Sequence, residues 1–192
     1  STALQLGTLK RSILYTPDLN KITNQLYNLY FSVFQHQENF VTRIDENSLL
    51  VKYKKLFDEL TKNTSIELGE EQIRFDYEVE QTTGNIFKFD IAWKDQSQLH
   101  LIKPISFDLR KPDTIRNKAY RFSAEFSDLE DYASEHEINF DLLLSRPQEK
   151  ALFRNYDDAI RILSKPKHVN LIEYEELSDY AKLTAQALLF DN

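Results

Sequence analysis

The fold class is decided by residues 85–136, NIFKFDIAWKDQSQLHLIKPISFDLRKPDTIRNKAYRFSAEFSDLEDYASEH. The stretch contains two strand-like runs, Ile86–Trp93 and Leu99–Leu109, separated by a polar turn. A helix then begins at Pro112, because proline is favoured in the first helical turn, and its apolar residues recur at steps of four and three. This order predicts two neighbouring strands of one sheet followed by a helix that packs against that sheet.

The pattern continues on both sides of this stretch. Ile73–Glu80 alternates apolar and charged residues, as a half-buried strand does, and Thr82–Asn85 is typical of a hairpin turn. The other predicted elements are helices over Asp18–His36, Glu46–Thr61, Asp157–Leu163 and Leu177–Leu189, and strands over Phe140–Leu144 and Val169–Tyr174. Three strands form a meander and the last two enter the sheet through crossovers, so we expect an α/β fold with a mixed sheet and flanking helices.

Composition limits the classes of protein. With 192 residues, 41% of them hydrophobic, the chain can build one globular domain, in which we expect residues 1–64 to be an N-terminal helical extension packed on the core and residues 65–192 to be the α/β core. The chain has no cysteine, which excludes disulfides and thiolate sites and favours a cytoplasmic location. It also has no methionine, so it is a processed chain or a fragment of a longer one. Its net charge of −7 argues against a generally basic surface.

Two charged residues stand among apolar neighbours in the deciding stretch. Asp90 lies within the first run and Lys103 lies in the middle of the second. An acid on one strand and a lysine on the next, preceded by a helix and a further strand and followed by a crossover helix, resembles the core of the PD-(D/E)xK nuclease superfamily. The resemblance implies a restriction-endonuclease-like fold over about residues 73–174, within a nuclease-like α/β core of residues 65–192.

The resemblance also implies a site. Asp90 would match the first metal-binding acid and Lys103 the motif lysine, with Mg²⁺ as the cofactor of an active enzyme. The position of the second acid, two residues before the lysine, holds Leu101. A displaced carboxylate would restore the metal site, with Glu80 as the preferred candidate and Glu78, Asp108 and Glu59 as the others.

Each of these residues also has a purely structural interpretation. Asp90 would then face solvent on an exposed edge, and Lys103 would pair with Asp90 or Glu80 across the sheet. The sequence therefore favours a degenerate PD-(D/E)xK-like domain that binds nucleic acid or a protein partner without cleavage. The alternative is an active Mg²⁺-dependent DNA nuclease with a displaced second carboxylate. A phage, mobile-element or defence setting would suit either activity.

Two surfaces are candidates for the partner. Basic residues cluster where the long helix begins, and they would either meet a phosphate backbone or balance the acidic residues further along the helix: Arg110, Lys111, Arg116 and Lys118. The predicted helix Asp18–His36 carries aromatic residues around most of its circumference, which predicts docking of a protein partner or self-association. No apolar run is long enough to cross a membrane, so no membrane partner is expected.

Overall fold

Alternating apolar residues from Ile73 onward form the first strand of a five-strand sheet. The structure, a computed structural model, describes residues 43–62, 69, 71–81 and 84–190, with Phe190 described in its backbone only. The chain divides into two units, Ser1–Thr42 and Arg43–Asn192, and all the described residues belong to the second. The predicted helix Asp18–His36 therefore lies outside the described residues.

The described elements follow the predicted order closely. The strands are β1 (Ile73–Glu80), β2 (Ile86–Lys94), β3 (Leu99–Ser106), β4 (Ile138–Ser145) and β5 (Val169–Glu173). The helices are α1 (Glu46–Thr61), α2 (Pro112–Asp128), α3 (Glu130–Glu135), α4 (Phe153–Leu163) and α5 (Leu177–Phe190), and one-turn 3-10 helices cover Lys150–Leu152 and Tyr174–Glu176. The predicted α/β class with a mixed sheet and flanking helices is confirmed.

The strands lie in sequence order, β1-β2-β3-β4-β5. The pairs β1–β2 and β2–β3 are antiparallel, whereas the pairs β3–β4 and β4–β5 are parallel. Because parallel strands need crossovers, α2 with α3 connects β3 to β4, and α4 connects β4 to β5. Ser106 and Ser145 are paired at the carboxyl ends of β3 and β4, so the two following loops leave the sheet at the same edge.

Two hydrophobic clusters cover the two faces of the sheet. On the face packed by α2 and α4, the predicted helical stripe of α2 and α3 is buried, with Ile115, Ala119, Phe122, Phe126, Leu129 and Ala133 at most 7% exposed. The single helix predicted from this stripe, which runs to Ala133, ends at Asp128 and resumes as α3, but the break leaves the stripe intact. On the other face, α1 and α5 pack against Ile91, Trp93 and Ile102.

Helix α1 belongs to this second cluster. Leu49, Tyr53 and Phe57 are buried, and the Tyr53 hydroxyl donates to Thr184 Oγ1 on α5 at 3.1 Å. Complete burial of such side chains contributes about 1.5–3 kcal/mol each. The helix that the sequence assigned to an extension over residues 1–64 is thus part of the core layer, in the unit that begins at Arg43.

Pro104 lies inside β3, a central strand, where a missing backbone N–H would normally break the ladder. The pairing of β3 with β2 ends at Ile102, before the proline is reached. Phe107 donates its backbone N–H to Ser145 on β4, so Pro104, three residues earlier, has its nitrogen on the side of β2. The ring thus occupies a position at which no ladder hydrogen bond is lost.

Within the part of the chain that the structure describes, no helix has the length and hydropathy needed to cross a membrane.

Candidate functional site

Asp90 lies where the pleat of two paired strands is interrupted. The register of β1 and β2 places it opposite Asp76, between the pairs Tyr77↔Phe89 and Phe75↔Ile91. Phe89 packs on the α2/α4 face and Ile91 on the α1/α5 face, although residues two apart in a regular strand share one face. Asp76 has a φ of +53°, a left-handed conformation that is uncommon outside glycine. The irregularity thus falls at the candidate acid and at the residue opposite it.

The environment of Asp90 shifts its protonation. The side chain is half-buried, and burial is the main reason that its pKa is raised above the ordinary value for aspartate. The positive charges of Lys103 and then Lys54 oppose this rise, whereas the negative charge of Asp76 adds to it. Among the described residues, no basic group lies within ion-pair distance, 4.0 Å, of Asp90.

Lys103 is bound by groups other than the predicted partners, Asp90 and Glu80. The register of β2 and β3 ends at Ile91↔Ile102, and its next step would bring Lys103 opposite Asp90. The Lys103 ammonium instead lies 2.7 Å from Glu125 Oε1 on α2 and donates to the Lys88 carbonyl at 3.0 Å. The expected pairing of Lys103 with Asp90 or Glu80 is therefore not seen, because α2 brings a carboxylate closer.

Aromatic rings enclose the same ammonium. Lys103 Nζ lies 5.3 Å from the centre of the Phe89 ring and 5.6 Å from that of Phe122. Its side chain is 18% exposed and that of Glu125 is 19% exposed. The pair is therefore largely removed from water, where a charge-assisted hydrogen bond is strongest.

Glu80 is not brought to this site. It is the last residue of β1 and pairs with Ile86, four residues along β1 from Asp76. At about 3.3 Å per residue this separation is about 13 Å, which is too long for Glu80 and Asp90 to bind one metal ion directly. The antiparallel register gives the position opposite Asp90 to Asp76 instead.

The other displaced acids have separate partners. Glu78 pairs with Lys88 at 2.6 Å, and Glu59 lies 4.0 Å from Lys55 on the exposed face of α1. Asp108 is buried beyond the end of β3, where it accepts hydrogen bonds from the Ile44 and Gln148 backbone N–H groups.

The donor set that the motif implies for magnesium is incomplete. Leu101 is completely buried in the α2/α4 cluster and offers no oxygen ligand. Mg²⁺ takes six oxygen ligands, of which a protein commonly supplies one or two carboxylates and water the rest, and Asp76 and Asp90 carry carboxylates here beside the positive charges of Lys103 and Lys54. Asp76 and Asp90 line an open pocket of about 330 Å³ together with Glu78, Lys88 and Phe89. In the described ranges, no three His, Asp or Glu side chains converge to hold a metal ion.

The four predicted nucleic-acid-binding residues fall into two groups. Arg110, Lys111 and Arg116 are exposed, and none of their side chains forms a hydrogen bond or ion pair with a residue that the structure describes. Lys118 is only 15% exposed, contacts Glu46 of α1 and donates to the Ser106 carbonyl at 2.7 Å. Lys118 thus joins α1 to the end of β3 and is not available to a phosphate.

The α1/α5 face carries a polar network that was not predicted from the sequence. Asp141 of β4 is 1% exposed and accepts hydrogen bonds from the Tyr180 hydroxyl and from Asn170 Nδ2, the latter at 2.7 Å. His100 Nδ1 lies 2.8 Å from Asp141, and its ring stacks on Trp93 with centroids 4.0 Å apart. His100 lies on the opposite face of the sheet from Lys103, as the alternation along β3 predicts.

Comparisons with known proteins leave the family open. No family model matches the chain, and no curated protein sequence matches it. Among solved structures, the chain is similar to protein VC1899 from Vibrio cholerae, with a TM-score of 0.38 and 16% identity over 71% of this chain and 32% of that protein. The chain thus spans about a third of that protein, and a TM-score this low does not establish a shared fold. The described residues define an α/β protein with a five-strand mixed sheet between two helical layers.

Proposed function

We propose that this chain is a degenerate PD-(D/E)xK-like domain that binds a partner, nucleic acid or protein, without cleaving it. The nuclease-like fold is supported by the three-strand meander, the crossover helix α2 and the parallel strand β4, which is the order that the resemblance implies. A phage or defence setting and a cytoplasmic location remain predictions from the sequence.

The observation that carries this proposal is the environment of Lys103. In a metal-dependent nuclease the motif lysine acts on the attacking water or on the phosphate, so its ammonium must be accessible. Here the ammonium is bound by Glu125 and the Lys88 carbonyl, and Leu101 fills the position of the second acid with a buried side chain. Both features favour a structural role for Lys103 and Leu101 over a role in cleavage.

A calorimetric titration with Mg²⁺ and Mn²⁺, paired with a plasmid-nicking assay, tests the proposal. We expect no saturable binding at millimolar metal and no nicking, with identical results for the wild type and Asp90→Ala. Saturable binding together with nicking, both lost in Asp90→Ala, would overturn the proposal.

The alternative, an active nuclease with a displaced carboxylate, is favoured by one observation. Asp76 lies opposite Asp90, and Glu125 contacts Lys103, so two acids adjoin the candidate site that the sequence did not assign to it. If nicking is observed, Asp76→Asn and Glu125→Gln identify the displaced acid. Glu80→Gln is the matched control, because Glu80 pairs with Ile86 and lies about 13 Å along the strand from the site.

A further inference from the structure

The loops that follow β3 and β4 are joined at the carboxyl edge of the sheet. Gln148 donates its side-chain amide to Asp108 Oδ2 at 3.0 Å, and the Phe107 and Tyr156 rings meet edge to face with centroids 5.7 Å apart. These contacts fix the segment that leads into α2 against the segment that leads into α4. Basic residues of the two segments therefore belong to one surface.

Helices α2 and α4 start at this edge and run in the same direction, because each returns from a parallel strand to the next. Ser123 of α2 donates its hydroxyl to the Ile162 carbonyl of α4 at 3.2 Å, which fixes their relative height. Arg116 precedes Ser123 by seven residues and Arg154 precedes Ile162 by eight, so the two lie within about 2 Å of the same height along the helices.

Five exposed basic residues occupy this surface, which we call the basic edge: Arg110, Lys111, Arg116, Lys150 and Arg154. None of the five side chains forms a hydrogen bond or ion pair with another residue in the described part of the chain. Arg146 lies in the same loop but pairs with Glu175 at 3.5 Å, and it is not counted. Basic side chains without acidic partners are the groups that phosphates bind.

The charge balance of the two segments differs from that of the chain. Residues 107–116 and 146–155 carry six basic and three acidic side chains, in a chain whose net charge is −7. One of the three acids, Asp108, is buried and accepts hydrogen bonds from the Ile44 backbone N–H and from Gln148. The two exposed acids, Asp113 and Glu149, leave an excess of positive charge in these two segments, and the acidic residues that follow β5 adjoin Arg146, which pairs with Glu175.

The first turn of α2 adds to that excess. Its N-cap is Lys111, whose side chain does not cap the backbone N–H groups of the helix, whereas α4 continues from the 3-10 helix Lys150–Leu152, whose Lys150 carbonyl accepts the Phe153 N–H. Uncapped N–H groups carry partial positive charge and bind anions.

We propose that the basic edge binds the phosphodiester backbone of a nucleic acid. This inference rests on the proposed function and deepens it by choosing nucleic acid as the partner. It removes Lys118 from the predicted interface and adds Lys150 and Arg154, which no local sequence pattern places beside Arg110. The contacts are to phosphates, so binding depends strongly on salt and weakly on base sequence.

The test is fluorescence anisotropy of the full chain with labelled 20-nucleotide single-stranded DNA, duplex DNA and RNA over a salt series. The test variant is Lys150→Glu/Arg154→Glu. The matched control is Lys94→Glu/Lys167→Glu, which makes the same charge change at the other end of the sheet, where β2 ends and β5 begins. Circular dichroism verifies that both variants are folded.

We expect the test variant to lose at least about tenfold in affinity at low salt, and the slope of log K against log salt to become about two units shallower. The control variant should stay within about threefold of the wild type. Equal losses in both variants, or no binding of the wild type to any of the three probes at low salt, would overturn the inference. Nicking activity is scored separately, so cleavage without loss of edge binding would overturn only the non-catalytic assignment.

Discussion

At the scale of single residues, Glu125 is the ion-pair partner of the largely buried Lys103 ammonium. Its carboxylate lies 2.7 Å from the ammonium, and both side chains are less than one-fifth exposed. In Glu125→Gln the ammonium would keep only weaker, uncharged partners while staying between two aromatic rings. We expect the free energy of unfolding to fall by about 1.5–3 kcal/mol, measured by urea denaturation.

Glu78→Gln is the control for this prediction. Glu78 also pairs with a lysine, Lys88 at 2.6 Å, but both side chains are at least half exposed. Exposed ion pairs contribute little to stability, so the midpoint of unfolding should not move. An equal loss in the two variants would mean that burial does not distinguish the Lys103 pair.

His100 makes the stability of the protein depend on pH. Burial alone would lower its pKa, but the hydrogen bond to Asp141 and the charges of Asp141 and Asp95 outweigh burial, so the pKa is raised. A raised pKa in the folded state stabilises the protein below the pKa of the unfolded state, and this contribution disappears as pH rises through the folded-state value. We therefore expect the free energy of unfolding to fall as pH rises from the ordinary histidine pKa of about 6.5 through the raised pKa of the folded state.

His100→Gln isolates this effect, because other groups also titrate over that range. The charged groups that face His100 are Asp141 of β4 and Asp95 of the β2–β3 turn, and the neutral Trp93 and Tyr180 complete its surroundings. Urea denaturation of both proteins over a pH series that starts below the ordinary histidine pKa measures the difference. If the free energy of unfolding falls equally with pH in His100→Gln and in the wild type, groups other than His100 cause the fall.

The sequence located some site residues and could not locate others. Asp90 and Lys103 stand out because each is a charge among apolar residues of one strand. Glu125 carries a weaker signal: it lies between Phe122 and Phe126, at the border of the buried stripe of α2. Asp76 carries no distinguishing signal, because only the register of β1 against β2 and its positive φ show that it lies opposite Asp90.

At the scale of elements, Lys118 connects three of them. It extends from α2, contacts Glu46 in the first turn of α1 and donates to the Ser106 carbonyl at the end of β3. Lys118→Met would keep most of the apolar stem but remove this connection. We expect a loss of about 1–2 kcal/mol in the free energy of unfolding, at the lower end for a charged pair because Glu46 is 45% exposed.

Nucleic-acid affinity distinguishes this connecting role of Lys118 from its predicted role in binding phosphate. If Lys118 acts only between elements, anisotropy with single-stranded DNA should give the same affinity for Lys118→Met and the wild type, with Arg116→Met as the comparison that weakens binding. A tenfold weaker affinity of folded Lys118→Met would return Lys118 to the interface.

The elements themselves were largely predictable, because most of them carry a clear period. The alternation of Ile73–Glu80 and the helical spacing of Glu46–Thr61 gave bounds identical to those of β1 and α1. The predicted end of β3 was wrong by three residues, because apolar residues continue to Leu109 whereas the strand ends at Ser106. The sequence could not show that Phe107 and Leu109 continue the core as a loop, because burial alone does not distinguish a strand from a packed loop.

At the scale of the whole molecule, charge is distributed unevenly around an acidic chain. The net charge of −7 predicts repulsion of nucleic acid, and only the order of the parallel strands reveals an excess of basic groups at one edge. Arg110 and Lys150 are forty residues apart, and no local pattern joins them. Two side-chain contacts bring them to one surface: Asp108–Gln148 joins the two loops, and Phe107–Tyr156 joins the first loop to α4.

The limits of the folding unit are the last property that belongs to the whole molecule. If the core began at residue 65, a fragment of residues 65–192 would fold. In the structure the unit begins at Arg43, and α1 buries Leu49, Tyr53 and Phe57 against α5 and the sheet. Deleting α1 would forfeit about 5–9 kcal/mol of hydrophobic stabilisation, which is comparable to the entire stability of a domain.

We therefore expect residues 43–192 to unfold cooperatively on heating and residues 65–192 to lack a cooperative transition, both measured by circular dichroism and calorimetry. Leu49→Ala in the longer fragment is the graded control, because it removes part of the same contact and should lower stability by about 2–5 kcal/mol without abolishing the transition. A cooperative transition in residues 65–192 at a similar temperature would show that α1 is an addition to a core that is already complete.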